Sequence, residues 1–176
     1  MSQKLRPPVS EKDHIQGPAG APVELVEYGD YQCPHCGRAY PIIKRIQQEL
    51  GDSLKFVFRN FPLSEAHPQA FMAAIAAEAA AKQNAYWEMH DLIFENQQSL
   101  SDEPFLGFAQ QLGLDTAQFE KDLADEALSA RVEADFDSGI RSGVNGTPSF
   151  FINGLRYDDS WEEQKLLARL KKSQHA

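Results

Sequence analysis

The sequence predicts an α/β fold: a small mixed sheet flanked by helices, with an all-helical segment inserted into it. Three observations carry this. The stretch from Val23 to Arg59 reads strand, helix, strand. From Ser64 to Gly143 strand signals vanish and apolar residues recur three or four apart. At Ser149 β-prone residues return. A switch in apolar spacing from two to about 3.6 and back separates a sheet from a helical insertion.

Each element has its own reason. Val23 to Tyr28 is a short β-prone run stopped by Gly29 and Asp30. Tyr40, Ile43, Ile46 and Leu50 form a helical stripe that Gly51 ends. Leu54, Phe56 and Phe58 alternate, as one face of a strand requires, so the first unit is βαβ with a parallel pair. In the insertion, His67 to Gln83 is Ala-rich and helical, and Tyr86 to Asn96 repeats the pattern. Pro104 leads Phe105 to Leu112, and Asp115 with Gln118 forms a helix-start box. Ala127 to Ile140 is the last helix there. Ser149 to Ile152, the turn Asn153-Gly154 and Leu155 to Tyr157 form a hairpin. Ser160 should cap a final helix from Trp161 to about Lys171, whose basic residues suit its C-terminus.

The chain therefore divides into a leader over 1–22, a discontinuous sheet domain over 23–63 and 144–176, and a helical domain over 64–143. The leader is polar and rich in Pro and Gly, so it is expected to lie over the surface or be partly disordered. It has no apolar stretch of the kind a secretory signal needs. A cytoplasmic address is the expectation, or a periplasmic one for a processed form.

Composition narrows function. The 176 residues carry 17 Lys and Arg against 26 Asp and Glu, a net charge of −9, which argues against nucleic-acid partners. The charge sits in the insertion, where 4 basic and 15 acidic residues fall. No apolar run is long enough to span a membrane. With a short leader and one core, a monomer is expected.

Just two cysteines are present, Cys33 and Cys36. They follow a strand and open a helix, and the two intervening residues wound as a first turn bring the sulfurs within bonding reach. Cys33 then sits where free N–H groups and the helix dipole favour an anion, so its pKa should fall. Pro34 sets the backbone angle of that turn, and His35, if protonated or donating, adds to the effect. Cys36, one turn deeper, is the resolving thiol. Two other readings exist: half of a zinc site, which would need distant or shared ligands, and a purely structural disulfide across a tiny loop. No metal and no cofactor beyond a Cys33–Cys36 redox disulfide is expected.

With these residues in view, the chain resembles the DsbA-like thiol-disulfide oxidoreductases of the thioredoxin fold. The hallmark Cys-Pro-His-Cys is present at Cys33 to Cys36. A second hallmark, a Thr-Pro pair before a strand, stands at Thr147-Pro148, and a helical domain interrupts the sheet. The resemblance covers roughly residues 23 to 172. It implies a thioredoxin-like mixed sheet, a cis peptide at Pro148 beside the cysteines, and a substrate paired to the Thr147 backbone. It also implies that Glu27, six residues before the nucleophile, is a buried acid that exchanges a proton with Cys36; Glu24 competes for that role. Pro41 matches a helix-kinking proline.

The function expected is thiol-disulfide exchange with protein or peptide thiols through a mixed disulfide. The redox partner is open between thioredoxin, glutathione and a membrane oxidase, and so is the direction. A thioredoxin-like sensing or partner-binding module without turnover is the alternative.

Overall fold

In the computed structural model, which describes residues 3–175, five strands form one mixed sheet in the order β1-β3-β2-β4-β5. The strands are β1 (His14–Gln16), β2 (Val23–Gly29), β3 (Leu54–Asn60), β4 (Ser149–Ile152) and β5 (Leu155–Tyr157). β2 and β3 run parallel, with Val23 opposite Leu54 and Gly29 opposite Asn60. Helix α1 (Pro34–Leu50) makes the crossover between them and carries Pro41 inside it.

Alternation along β2 sorts its side chains onto two cores. Val23 and Leu25 face α1, where Ala39, Ile43 and Ile46 meet Phe56 and Phe58 of β3. Val26 and Tyr28 face the other side, with Val57, Phe61 and Phe151. Period-two sorting of this kind fixes the register, because a slip by one residue would exchange the two faces. β4 and β5 are joined by Asn153 and Gly154, both at positive φ (49° and 82°), as the tight hairpin turn demands.

The insertion supplies α2 (Ala70–Ala81), α3 (Tyr86–Glu95), α4 (Phe105–Gln111), α5 (Thr116–Leu123) and α6 (Glu126–Arg141). α2 is alanine on almost every side and is buried almost throughout, which lets its neighbours approach closely. It begins three residues later than the sequence reading placed it. Pro68 disfavours helix in the residue before it, and His67 is held elsewhere by a hydrogen bond to Asp30. The cap at Asp115 is present, its carboxylate accepting from the Gln118 N–H at 3.0 Å.

Two expectations need correction. Helix α7 spans Glu163–Ser173 and does not start at Trp161. Ser160 is spent on a turn instead, its carbonyl accepting from the Tyr157 hydroxyl and its hydroxyl from the Glu162 N–H. The larger correction concerns the leader, expected to be partly disordered. Its described residues are tied down along both edges of the sheet. β1 pairs antiparallel with β3, Ile15 opposite Val57, while Lys4 bridges to Leu155 of β5. Leu5 is buried, its N–H donating to the Gly154 carbonyl at 2.9 Å. The Arg59 guanidinium reaches back to both carboxylate oxygens of Asp13, at 2.8 and 3.0 Å. A few anchors suffice, and polar composition conceals them.

Candidate active site

The site forms where β2 runs into α1. Cys33 is the N-cap of α1 with an extended backbone (φ −70°, ψ 124°), and Pro34 occupies the first turn, where its missing N–H costs nothing. Cys36 is fully buried one turn further on, and Cys33 is nearly so. Both are free thiols.

The two sulfurs titrate in opposite directions. Cys33 is lowered to about 5, first because the Cys36 thiol hydrogen-bonds to it and then through the N–H groups of Cys36 and His35. Burial pushes Cys36 up, and the hydrogen bond it gives to Cys33 adds to the rise. The anion is thus held by donors at the helix start. His35 contributes through its backbone. Its exposed ring accepts at Nδ1 from the Arg38 guanidinium, and is not the donor the sequence reading allowed for.

Glu27 and Glu24 separate by face. Glu24 lies opposite Lys55 and pairs with it at 3.2 Å, away from the cysteines. Glu27 points into the α1 side, is buried, and has an oxygen, Oε2, with no hydrogen-bond partner in the described structure. Its carboxyl is raised to about 8, mainly by burial and next by the charge of Cys33. A pocket of about 10 Å³, room for about one water, connects Glu27 with Tyr40, Lys44 and Gln47. The approach over Glu27 requires glycine at 29, since a Cβ there would stand 2.8 Å from Oε2 and 2.5 Å from the Phe58 ring.

Across from Cys33 lies the loop before β4. The Thr147-Pro148 peptide is cis, and the Thr147 carbonyl is 3.8 Å from the Cys33 Sγ. The structure thus brings Cys33, Pro34, Cys36, Glu27, Thr147 and Pro148 into one locality, with the His35 ring turned outward.

Sequence reasoning missed the residues that hold the turn in place. Asp30 is fully buried; its Oδ1 accepts from the N–H groups of Gln32 (2.7 Å) and Cys33 (3.1 Å). Its Oδ2 accepts from the Leu63 N–H (2.9 Å) and pairs with His67 Nδ1 (2.7 Å), and its own N–H reaches Cys36 Sγ at 3.4 Å. Gln97, from the turn after α3, donates to the carbonyls of Tyr31 (2.9 Å) and Cys33 (2.8 Å). The insertion therefore grips the turn that carries Cys33 directly. An aspartate three residues before Cys33 was the one available signal, and it was read as a strand end. Among the described residues no cluster of three or more His, Cys, Asp or Glu is arranged to hold a metal.

Comparison with known proteins agrees with this geometry. A family model described as Thioredoxin matches residues 9–172. The oxidised BdbD structure from Bacillus subtilis superposes with a TM-score of 0.83 at 23% identity, covering 100% of this chain and 98% of that one. Wolbachia pipientis alpha-DsbA1 gives 0.83 at 22%, covering 95% and 93%. A thioredoxin-like oxidoreductase from Silicibacter pomeroyi gives 0.80 at 25%, covering 95% of each. Among curated proteins, the Na(+)/H(+) antiporter NhaA 1 of Salinispora arenicola is 43% identical over 158 residues, 90% of this chain and 24% of that protein. The Na(+)/H(+) antiporter NhaA of Herminiimonas arsenicoxydans is 40% identical over 170 residues, 96% of this chain and 27% of that protein. The chain thus spans about a quarter of the length of the curated relatives it matches. Among the described residues no helix is long and apolar enough to cross a membrane.

Proposed function

We propose that this chain, which belongs to the thioredoxin family and is DsbA-like in structure, exchanges disulfides with protein or peptide thiols through Cys33 and Cys36, in the oxidising direction. One observation carries the reading: Cys33 caps the start of α1 while Cys36 lies fully buried one turn deeper, an arrangement that lowers the first thiol and raises the second. A stabilised thiolate favours the reduced form, which is what an oxidant needs, and makes Cys33 the better leaving group.

A substrate thiolate attacks Cys33 Sγ of the disulfide; the new S–S bond forms as the Cys33–Cys36 bond breaks, and Cys36 leaves as a thiolate. Cys36 is the buried, high-pKa sulfur, so it must take a proton, and the protonated Glu27 carboxyl beneath it supplies one. A second substrate thiol then attacks the substrate sulfur of the mixed disulfide and releases Cys33 as the stabilised thiolate. The substrate loses two electrons and the dithiol gains them. In reverse, Glu27 takes the proton back. This becomes easier once Cys33 is bonded, because the part of the rise that its charge adds to burial has gone. The Thr147 backbone pairs with the extended substrate across from Cys33. The exchange needs no cofactor beyond the cysteine pair.

Equilibration with glutathione tests the direction. A potential less negative than about −200 mV is expected, and one near the reductant range of about −270 mV would overturn it. Both Cys33→Ser and Cys36→Ser should abolish turnover; full activity in Cys36→Ser would point to a one-thiol mechanism.

A further inference from the structure

A groove of about 710 Å³ opens at the carboxyl end of β3, between the loop after that strand, the start of α2 and one face of α6. This is also the end of the sheet from which the parallel strand β2 enters the catalytic turn. Its apolar lining comes from Leu63, Phe71, Val132 and Phe136. Ile140, 55% exposed, continues the apolar row one turn further along α6. Beside that row runs an acidic one: Glu133 and Asp137 sit one turn apart, and Glu65 faces them from the loop. All three carboxylates are exposed, and none makes an ion pair among the described residues. No mechanistic step above uses any of them.

We propose that this groove docks a basic amphipathic segment of the partner protein, with apolar side chains on Phe71 and Phe136 and Lys or Arg against the acidic row. The inference rests on the thiol-exchange reading and names the kind of protein that brings its cysteine to Cys33. The charge pattern selects this occupant. An anionic segment would meet three unpaired carboxylates, and a neutral apolar one would desolvate them without compensation. Residues four apart on α6 rise by about 6 Å, which matches the spacing of side chains along one stripe of a partner helix. The wall of the groove is also part of the site, because the Leu63 N–H donates to Asp30 Oδ2 while Asp30 Oδ1 holds the Cys33 N–H. A docked segment therefore presses on the residue that organises the nucleophile.

The test uses the whole chain and a fluorescein-labelled, cysteine-free peptide of about four helical turns, with Leu at spacings of three and four and Lys between. Polarisation should show saturable binding that weakens at least tenfold when every Lys is replaced by Glu, and that falls as salt rises. The surface variant Glu133→Lys/Asp137→Lys should lose at least tenfold in affinity while keeping its melting temperature and its Cys33 titration. Equal binding of both peptides, affinity unchanged in the double variant, or no binding up to about 1 mM would overturn the proposal. A second peptide bearing one cysteine separates the two readings. If the cysteine-free peptide docks as stated but oxidised protein forms no mixed disulfide with the thiol version, the exchange reading fails and the groove stands.

Discussion

His67 Nδ1 lies 2.7 Å from the buried Asp30 Oδ2, a pair that ties the start of the helical insertion to the turn before Cys33. Asp30 holds three backbone N–H groups besides, so the carboxylate and the imidazole are not equivalent partners. Asp30→Asn should cost on the order of 2–3 kcal/mol, since its amide would turn N–H groups toward donors. His67→Ala should cost about 1 kcal/mol, because the three N–H groups keep their acceptor. Denaturant melts of the two variants check this, and equal losses would contradict it.

Alkylation of the reduced protein against pH should show Cys33 reacting with an inflection near 5. Cys36, buried and raised, should stay unmodified across the same range. An inflection near the free-thiol value of about 8.5 would remove the basis of the proposed chemistry.

Glu27→Gln leaves shape nearly unchanged and removes the proton donor. Mixed-disulfide interconversion should slow on the order of 10²-fold at neutral pH, and any inflection near 8 in its pH profile should disappear. A profile that keeps the inflection would assign it to another group.

The same two groups set opposing pH dependences in the reduced protein. Cys33 falls from its ordinary 9.0 to about 5, so its contribution is full above the unfolded value and is lost as pH drops through 5. Glu27 rises from 4.5 to about 8, so its contribution is full below 4.5 and is lost as pH climbs through 8. Between about 5 and 8 they offset each other. With Glu27→Gln that opposition is gone, and reduced variant protein should become steadily more stable above about pH 6, where buried Asp135 has also finished titrating, up to 9. Urea midpoints that fall over that range would contradict the assignment.

Asp13 anchors the N-terminal segment to the buried Arg59, whose side chain is 3% exposed. Asp13→Ala should cost about 3 kcal/mol, since it leaves that charge with the Tyr28 hydroxyl alone. The double variant Asp13→Ala/Arg59→Met should recover part of the loss, and no recovery would show that the pair is not the cause.

Local signals carried the sheet and the nucleophile well. Val23 to Tyr28, Leu54 to Phe58 and Asn153-Gly154 announce themselves because each pattern is decided by neighbours in sequence. The cysteine pair is legible for the same reason. Asp30, His67 and Gln97 were not, because their roles arise from contacts between segments 37 and 64 residues apart, which no periodicity encodes. The N-terminal segment escaped notice for a related reason. Leu5, Asp13 and Ile15 are ordinary residues in a polar stretch until the edges of a folded sheet give them partners. The choice of Glu27 over Glu24 needed only the parity of β2, which places them on opposite faces.

The N-terminal segment reaches both margins of the sheet, pairing with β3 at one side and bridging to Leu155, with the Arg156 N–H on the Gln3 carbonyl, at the other. Exposed strand margins invite indiscriminate β-pairing between molecules. A protein that exchanges disulfides with extended chains, as proposed above, would be especially open to that hazard. The strap works as a hem: it finishes both margins of the sheet with the chain's own backbone.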